Sequence, residues 1–312
     1  MKTMPGKTLS ALVLAILVTG CAGVAVDGVT GGDRAEMILI PGGEFSMGSS
    51  PVEVAKLLDD CNRFDRGKTY CRTNVETVSP AHRVVLDPFY LDRYEVPNAL
   101  FDRFVKATSH KTRAEREGYG WGWQPVGAGW EWVKIEGGDW RKPNGPGNSS
   151  ANENHPVVQV SWHDAMAYCK WTRKRLPTEA EWEKATRGTD DRRYPWGQEW
   201  DASKANGDMV ARGPTLVGSF PGGVSQYGVH DMAGNVSEWV ADIFTESYYR
   251  NSPERNPDGP HPSFVEFQIV RVIRGGSWLN VPIYLRTMAR FSLDPSVTLN
   301  VVGFRCAKDS KK

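Results

Sequence analysis

The sequence predicts an α+β fold with many ordered loops, and three observations carry that prediction. Short strand-like runs recur in the first third of the chain, over residues 37–40, 44–47 and 82–92. Short helices are marked by capping signatures at Ser50, Pro51 and Glu53, at Ser161 and Asp164, and at Thr178 and Glu181. Between them lie long stretches with no sustained period of 2 or 3.6. The most unusual is 119–140, which holds five of the chain's 12 tryptophans.

Taken in order, the chain opens with Lys2 and Lys7 ahead of an apolar run over residues 9–18. These are the charged n-region and short h-region of a secretory signal. The run is too short to span a membrane. It ends Val18, Thr19, Gly20, Cys21, which resembles a bacterial lipobox, where the chain is cut before a cysteine that is then acylated. The expectation is a signal peptide over 1–20, a lipid on Cys21, and a flexible lipid-anchored tether of small and polar residues over 21–36. Ala22 after Cys21, rather than an aspartate, points by enteric-type sorting to the outer membrane, facing the periplasm. Without the leader's two lysines, the chain's 38 basic side chains fall one below its 37 acidic ones. No basic stripe stands out, so no nucleic acid partner is expected, and the membrane is reached through the lipid.

Residues 37–40 and 44–47 flank Pro41, Gly42 and Gly43 and read as strand, turn, strand. Ser50, Pro51 and Glu53 start a helix to about residue 59. Residues 82–92 are strand-like, and 95–107 carry Leu100, Phe101, Phe104 and Val105 at helical spacing, a core face. The tryptophans of 119–140 read as a loop-built aromatic wall, either packed into the core or lining a cleft for a peptide or sugar. Ser161 and Asp164 cap a helix to about residue 174, with Trp162, Ala165, Met166 and Cys169 on its inner face. Thr178 and Glu181 cap the next, with Trp182 and Ala185 inward. Its Glu179, Glu181 and Glu183 sit where the helix dipole favours acids and need no catalytic role.

Lipidation of Cys21 leaves Cys61, Cys71, Cys169 and Cys306, an even set that pairs in an oxidising compartment in one of three ways. The six histidines include no pair at metal-ligand spacing on one element. No nucleophile elbow, zinc helix or phosphate loop is present.

A sharper reading comes from three motifs. Residues 174–188 read KRLPTEAEWEKATRG and 229–239 read VHDMAGNVSEW; 271–307 contain a Gly-Gly-Ser-Trp turn and close on Gly-Phe-Arg-Cys. Over 37–308 the chain resembles the formylglycine-generating enzyme, or sulfatase-modifying factor, family. The resemblance implies a single α+β domain over 37–309, related to C-type lectin-like folds and stapled by disulfides and calcium. It places Cys169 against Cys306, which leaves Cys61 with Cys71. It also implies structural calcium held by side chains of Asp231 and Glu238 and carbonyls of Gly234 and Val236. Two anions plus neutral oxygens suit that ion. A first calcium loop is implied at Asn206 and Gly207, although the loop beyond is short and offers no clear matching acid.

Active members of the family oxidise a cysteine of a client sulfatase to formylglycine, using two copper-holding cysteines that follow the Gly-Gly-Ser turn. Here no cysteine lies between Ser277 and Arg305, and Asn280, Val281, Pro282 and Leu285 occupy the region. Oxygens of Ser277 and Asn280 do not suit Cu(I), which selects thiolates, so no copper is expected. Ser277, Trp278 and Asn280 remain as candidates lining a groove. The functional expectation is a non-catalytic, lipid-anchored binding or regulatory module of the bacterial cell envelope, serving an envelope protein partner. The alternatives are a repurposed oxidoreductase using another cofactor in the same groove, and a lectin-like glycan binder. Arg274, Arg286, Arg290 and Arg305 are expected to bind carbonyls and carboxylates around the closing motif.

Overall fold

Reciprocal capping boxes set the helix starts that the sequence announces. The computed structural model describes residues 29–30, 33–64, 69–148, 150–264 and 268–310. In it the Glu53 carboxylate accepts from Ser50 N at 2.8 Å while Ser50 Oγ accepts from Glu53 N. Ser161 with Asp164, and Thr178 with Glu181, do the same. The helices are α1 (Pro51–Phe64), α2 (Thr69–Glu76), α3 (Asn98–Thr108), α4 (Arg113–Glu117), α5 (Trp162–Trp171), α6 (Glu179–Arg187) and α7 (Tyr248–Asn251).

The strands are β1 (Val29–Thr30), β2 (Glu36–Ile40), β3 (Gly43–Met47), β4 (His82–Leu86), β5 (Phe89–Asp92), β6 (Tyr119–Val126), β7 (Gly129–Glu136), β8 (Ser237–Ile243), β9 (Arg271–Arg274), β10 (Arg290–Leu293), β11 (Val302–Phe304) and β12 (Ala307–Asp309). They form sheets in the orders β1-β2-β5-β12 and β10-β9-β8-β11, with β3-β4 and β6-β7 as separate pairs. All pairings are antiparallel except β11 on β8. The α+β expectation holds.

Several expectations need correction. The strand-turn-strand of 37–47 is present as β2 and β3, but the two strands join different sheets: β2 pairs with β1 and β5, and β3 with β4, so Pro41 and Gly42 carry the chain from one sheet to the next. The 82–92 run breaks into β4 and β5 at Asp87 and Pro88. The tryptophan-rich stretch is not loop-built but a regular hairpin, β6 against β7, with Trp123 facing Trp132. Ordered structure begins before residue 37. β1 adds to β2, and Asp33 is buried against Lys174 and Tyr168, so the expected tether is shortened at its C-terminal end. The leader and Cys21 lie outside the described residues.

The main core gathers around the Cys169–Cys306 disulfide, with Phe101, Tyr168, Trp239, Trp278 and Phe304. Cys61 pairs with Cys71, so both expected disulfides are present. Met166 departs from its predicted face: it is 41% exposed while Trp162, Ala165 and Cys169 are buried, because it lies at the helix edge. The three α6 glutamates are also more than dipole partners. Glu179 accepts from Arg290 Nε and Nη2, both at 2.8 Å, Glu183 from Arg274 Nη2 at 2.5 Å, and Glu181 from Arg175 at 2.6 Å. The buried acids thus anchor the arginines of β9 and β10 through charge-assisted forks.

Candidate functional site: the tryptophan cleft and its supporting loops

Three loops meet beside the β6-β7 hairpin, and backbone hydrogen bonds stitch them together. Asn235 N donates to Asn206 O at 2.8 Å, Gly234 N to Gly275 O at 3.0 Å, and Trp278 N to Asn235 O at 2.9 Å. Met209 N donates to Trp278 O and Asp208 N to Asn280 O. Such close approach depends on glycine. Gly234 has φ +85°, and a Cβ there would collide with the Asn206 carbonyl. Gly276, at φ +64°, leaves room for Leu285.

The region where active relatives of the expected family carry cysteines is closed by packing. Asn280 Oδ1 accepts from Ser277 N at 2.8 Å and from Ser277 Oγ at 2.9 Å, so the two candidate groove residues satisfy each other. Leu285 is fully buried in an apolar cluster with Tyr194 and Ala233, against Trp196 and Trp200. The side chains that fill it, Ser277, Asn280 and Leu285, supply no thiolate.

Next to this closed region lies a cavity of about 330 Å³, lined by Trp123, Trp130 and Trp278, by Asn144, Asn148 and Asn300, and by Arg212 at its rim. Trp130 meets Trp278 edge to face at 5.9 Å, and Trp123 meets Trp132 at 5.5 Å. The indole N–H groups of Trp123 and Trp278 are buried with no hydrogen-bond partner among the described residues. No carboxylate lines the cavity. The arrangement offers aromatic faces, amides and one cation, a lining that suits a ligand rich in hydrogen-bond acceptors. Of the three groove candidates, the structure brings Trp278 into this cleft and leaves Ser277 and Asn280 behind it.

The expected calcium residues gather on the far side of the same loops. Asp231 Oδ2 accepts from Gly218 N at 2.6 Å. Both Glu238 oxygens are taken by the fork of Arg305 at 2.7 Å, and Oε2 also by Trp182 Nε1 at 2.9 Å. Sequence reading missed Glu95. Its carboxylate is fully buried and accepts from Asn235 Nδ2 at 2.6 Å and from Val236 N at 3.2 Å. Read as the start of a helix, Glu95 carried no local signal; only the long-range packing of β5's end against the loop reveals it.

Three acids therefore share one guanidinium. Burial pushes Asp231 up to about 6, against the Gly218 N–H and Arg305, with Glu238 adding to the rise. Glu95 is raised well above the usual carboxylate range by burial and then by Asp231 and Glu238. The Asn206 side chain donates to Gly213 O and Asn235 Oδ1, while its own Oδ1 is buried without a partner among the described residues. Excess buried negative charge and an orphaned amide oxygen fit a hard, oxygen-ligated cation. Glu238 fits less well as a direct ligand, since a guanidinium already takes both its oxygens. Among the described residues, no three His, Cys, Asp or Glu side chains form a cage of their own. A cation at the Asp231 loop would draw on Asp231 and the carbonyls of Gly234 and Val236, with Glu238 and Arg305 as supporting structure, and one at the first loop would draw on Asn206 and Gly207. Arg286 meets the expectation for the arginines in part: Nε donates to Ile283 O at 2.5 Å, but its two terminal nitrogens are buried without partners among the described residues.

Comparison with known proteins adds the following. The family described as sulfatase-modifying factor enzyme 1-like domain matches residues 26–310. The formylglycine-generating enzyme of Streptomyces coelicolor is 37% identical over 308 residues, covering 88% of this chain and 89% of that protein. The Bos taurus protein named inactive C-alpha-formylglycine-generating enzyme 2 is 30% identical over 308 residues, at 88% and 89% coverage. Among solved structures, PvdO from Pseudomonas aeruginosa superposes with a TM-score of 0.67 at 28% identity, covering 89% of this chain and 95% of that one.

Proposed function

We propose that this chain, which belongs to the formylglycine-generating enzyme (sulfatase-modifying factor) family, is a non-catalytic member that binds a ligand in the tryptophan cleft. One observation carries the reading: the segment after the Gly-Gly-Ser turn is filled by a bonded Ser277–Asn280 pair and a buried Leu285, while an aromatic cavity stays open beside it. A relative already named inactive supports the idea that the fold persists without the chemistry. In this reading the chain is anchored by a lipid on Cys21 to the bacterial envelope, faces the periplasm and serves an envelope protein partner, whose extended segment lies on the half-buried Trp123 and Trp130. Calcium acts as a structural ion at the Asn206 and Asp231 loops and carries no step of any reaction.

The test has two parts. Titration with Cu(I) and incubation with a cysteine-bearing sulfatase peptide should give neither stoichiometric copper nor aldehyde; either product overturns the non-catalytic reading. Trp130→Ala, at a half-buried position, should abolish binding of the partner segment without lowering the melting temperature. A glycan ligand is the second reading, favoured by the pairing of indole faces with asparagine amides. Retention on peptidoglycan or polysaccharide that Trp130→Ala removes would select it, and absence of retention would sink it.

A further inference from the structure

The hairpin that carries the tryptophans has one edge covered and one edge free. β6 and β7 pair without a break from Tyr119 with Glu136 to Val126 with Gly129, closed by Gly127 and Ala128. In an antiparallel ladder, pairs that exchange hydrogen bonds alternate with pairs whose N–H and C=O groups point away from each other. On β6 the outward groups are identified by what they bond. Trp121 N donates to Thr298 O, Trp121 O accepts from Asn300 N, and Trp123 N donates to Asn300 Oδ1, each at 3.0 Å. Pro125, next in that series, has no N–H to give to β7. The residues opposite these are Lys134, Trp132 and Trp130, so their backbone groups point outward from the far edge. Among the described residues, no other segment hydrogen-bonds to those groups.

That edge lacks the usual protections against pairing. β7 has no proline and no bulge, and no further strand joins the β6-β7 pair on that side. Trp132 is 45% exposed, and Lys134 is exposed. The Lys134 ammonium, which could blunt the edge, is drawn back over the Tyr119 ring, 4.1 Å from its centroid, and to Glu136 Oε1 at 2.7 Å.

We propose that β7 pairs with β7 of a second copy of this chain, antiparallel about a two-fold axis at Trp132. The side chains select that register. An axis at Glu131 or at Lys134 sets like charges directly opposite each other, which is destabilising. An axis at Val133 draws on the backbone of Glu136, whose carbonyl faces the turn at Gly145, where a Cβ would stand 3.6 Å from it. The axis at Trp132 needs only the free groups of Trp130, Trp132 and Lys134. Trp132 then lies opposite itself, and at each end Lys134 of one copy lies beside Trp130 of the other, every pair exchanging two backbone hydrogen bonds. Aromatic pairs across strands and a cation beside an indole are both favourable. Glu131 falls opposite Val133, so no like charges meet. The contact is smaller than a standard interface, and the dimer is therefore reversible. Backbone groups of β7 carry it, so it stands or falls apart from the ligand proposed for the cleft.

The experiment is oxidative cross-linking of the full chain in detergent. Across the proposed axis Glu131 and Val133 form a non-hydrogen-bonded pair, where Cβ atoms come close enough for a disulfide. An equal mixture of Glu131→Cys and Val133→Cys chains should therefore cross-link at least about tenfold faster than either variant alone. Val133→Cys alone matching the mixture would move the axis to Val133 and overturn the assignment, as would the absence of cross-linked dimer in all three samples. Sedimentation gives a second reading. The wild type should pass reversibly from monomer to dimer as concentration rises, and a wild type that stays monomeric refutes the proposal. Lys134→Pro removes an N–H that bonds nothing within one copy, so it should keep its melting temperature and stay monomeric; undiminished dimer in that variant also refutes the pairing. If Lys134→Pro does not fold, the cross-linking comparison decides alone.

Discussion

Asp231→Asn, studied in chelator, isolates the electrostatics of the calcium loop. Burial raises Asp231 from 3.8 to about 6, and each unit is worth about 1.4 kcal/mol, so ionised Asp231 costs the metal-free fold at most about 3 kcal/mol. Because the folded value lies above the unfolded one, the cost is absent below about pH 4, grows between about pH 4 and 6, and is complete above. Asparagine keeps the size of the side chain and an oxygen for the Gly218 N–H. In chelator at about pH 7.5 the variant should therefore exceed the wild type in urea-unfolding free energy by up to about 3 kcal/mol. The gap should close toward about pH 4. His230, held down to about 4 by burial and by Arg93 and Arg305, loses stability as acid is added, but it does so in both proteins and largely cancels in the difference. Added calcium should reverse the order at neutral pH, because the carboxylate is the better ligand. A variant less stable than wild type in chelator at neutral pH would refute the burial argument itself. A more stable variant, with calcium changing neither protein, would remove the ion alone.

Arg305→Met leaves Glu95, Asp231 and Glu238 with no cation and should cost about 3–5 kcal/mol by denaturant unfolding at neutral pH, the loss shrinking as acid protonates the raised carboxylates. Removing the Cys169–Cys306 disulfide by paired serines should cost about 5 kcal/mol, and removing Cys61–Cys71 about 3, since the first closes 137 residues and the second 10; equal losses in thermal melts would contradict the chain-entropy account. Leu285→Ala opens a void in the Tyr194 and Ala233 cluster and should cost about 2–5 kcal/mol. An unchanged melting temperature there would show that the region after the Gly-Gly-Ser turn is loosely packed.

Features set by neighbours in sequence were legible: the capping serines and threonines, the inward Trp182 and Ala185, and the lack of any cysteine between Ser277 and Arg305. The hairpin was hidden by its own composition. β6 alternates glycine with tryptophan, which reads as loop, yet the glycines are where other parts of the chain press in: a Cβ on Gly120 would strike the Gln159 side chain, and one on Gly122 that of Asn300. The alternation of period 2 was present with its small residues facing inward, the reverse of an ordinary half-buried strand. Met166 shows another limit. Helical spacing assigns a face, but which neighbour covers the face's edge depends on distant segments. Glu95 depends on burial between elements far apart in the chain, and spacing carries no information about it.

The motifs that identify the family are, in this chain, the motifs that hold the closing segment in place. Glu179 and Glu183 of the helix motif grip Arg290 and Arg274, Glu238 of the loop motif grips Arg305, and Cys306 of the last motif closes on Cys169. Each partner is buried, and removing one member of a buried charged pair costs several kcal/mol. Stability alone therefore suffices to retain these residues whether or not the chain performs chemistry. In the segment after the Gly-Gly-Ser turn, Asn280 bonds Ser277 and Leu285 fills an apolar cluster, so local hydrogen bonding and packing are satisfied there without a thiolate. The match of these motifs therefore reports the scaffold and does not by itself report chemistry.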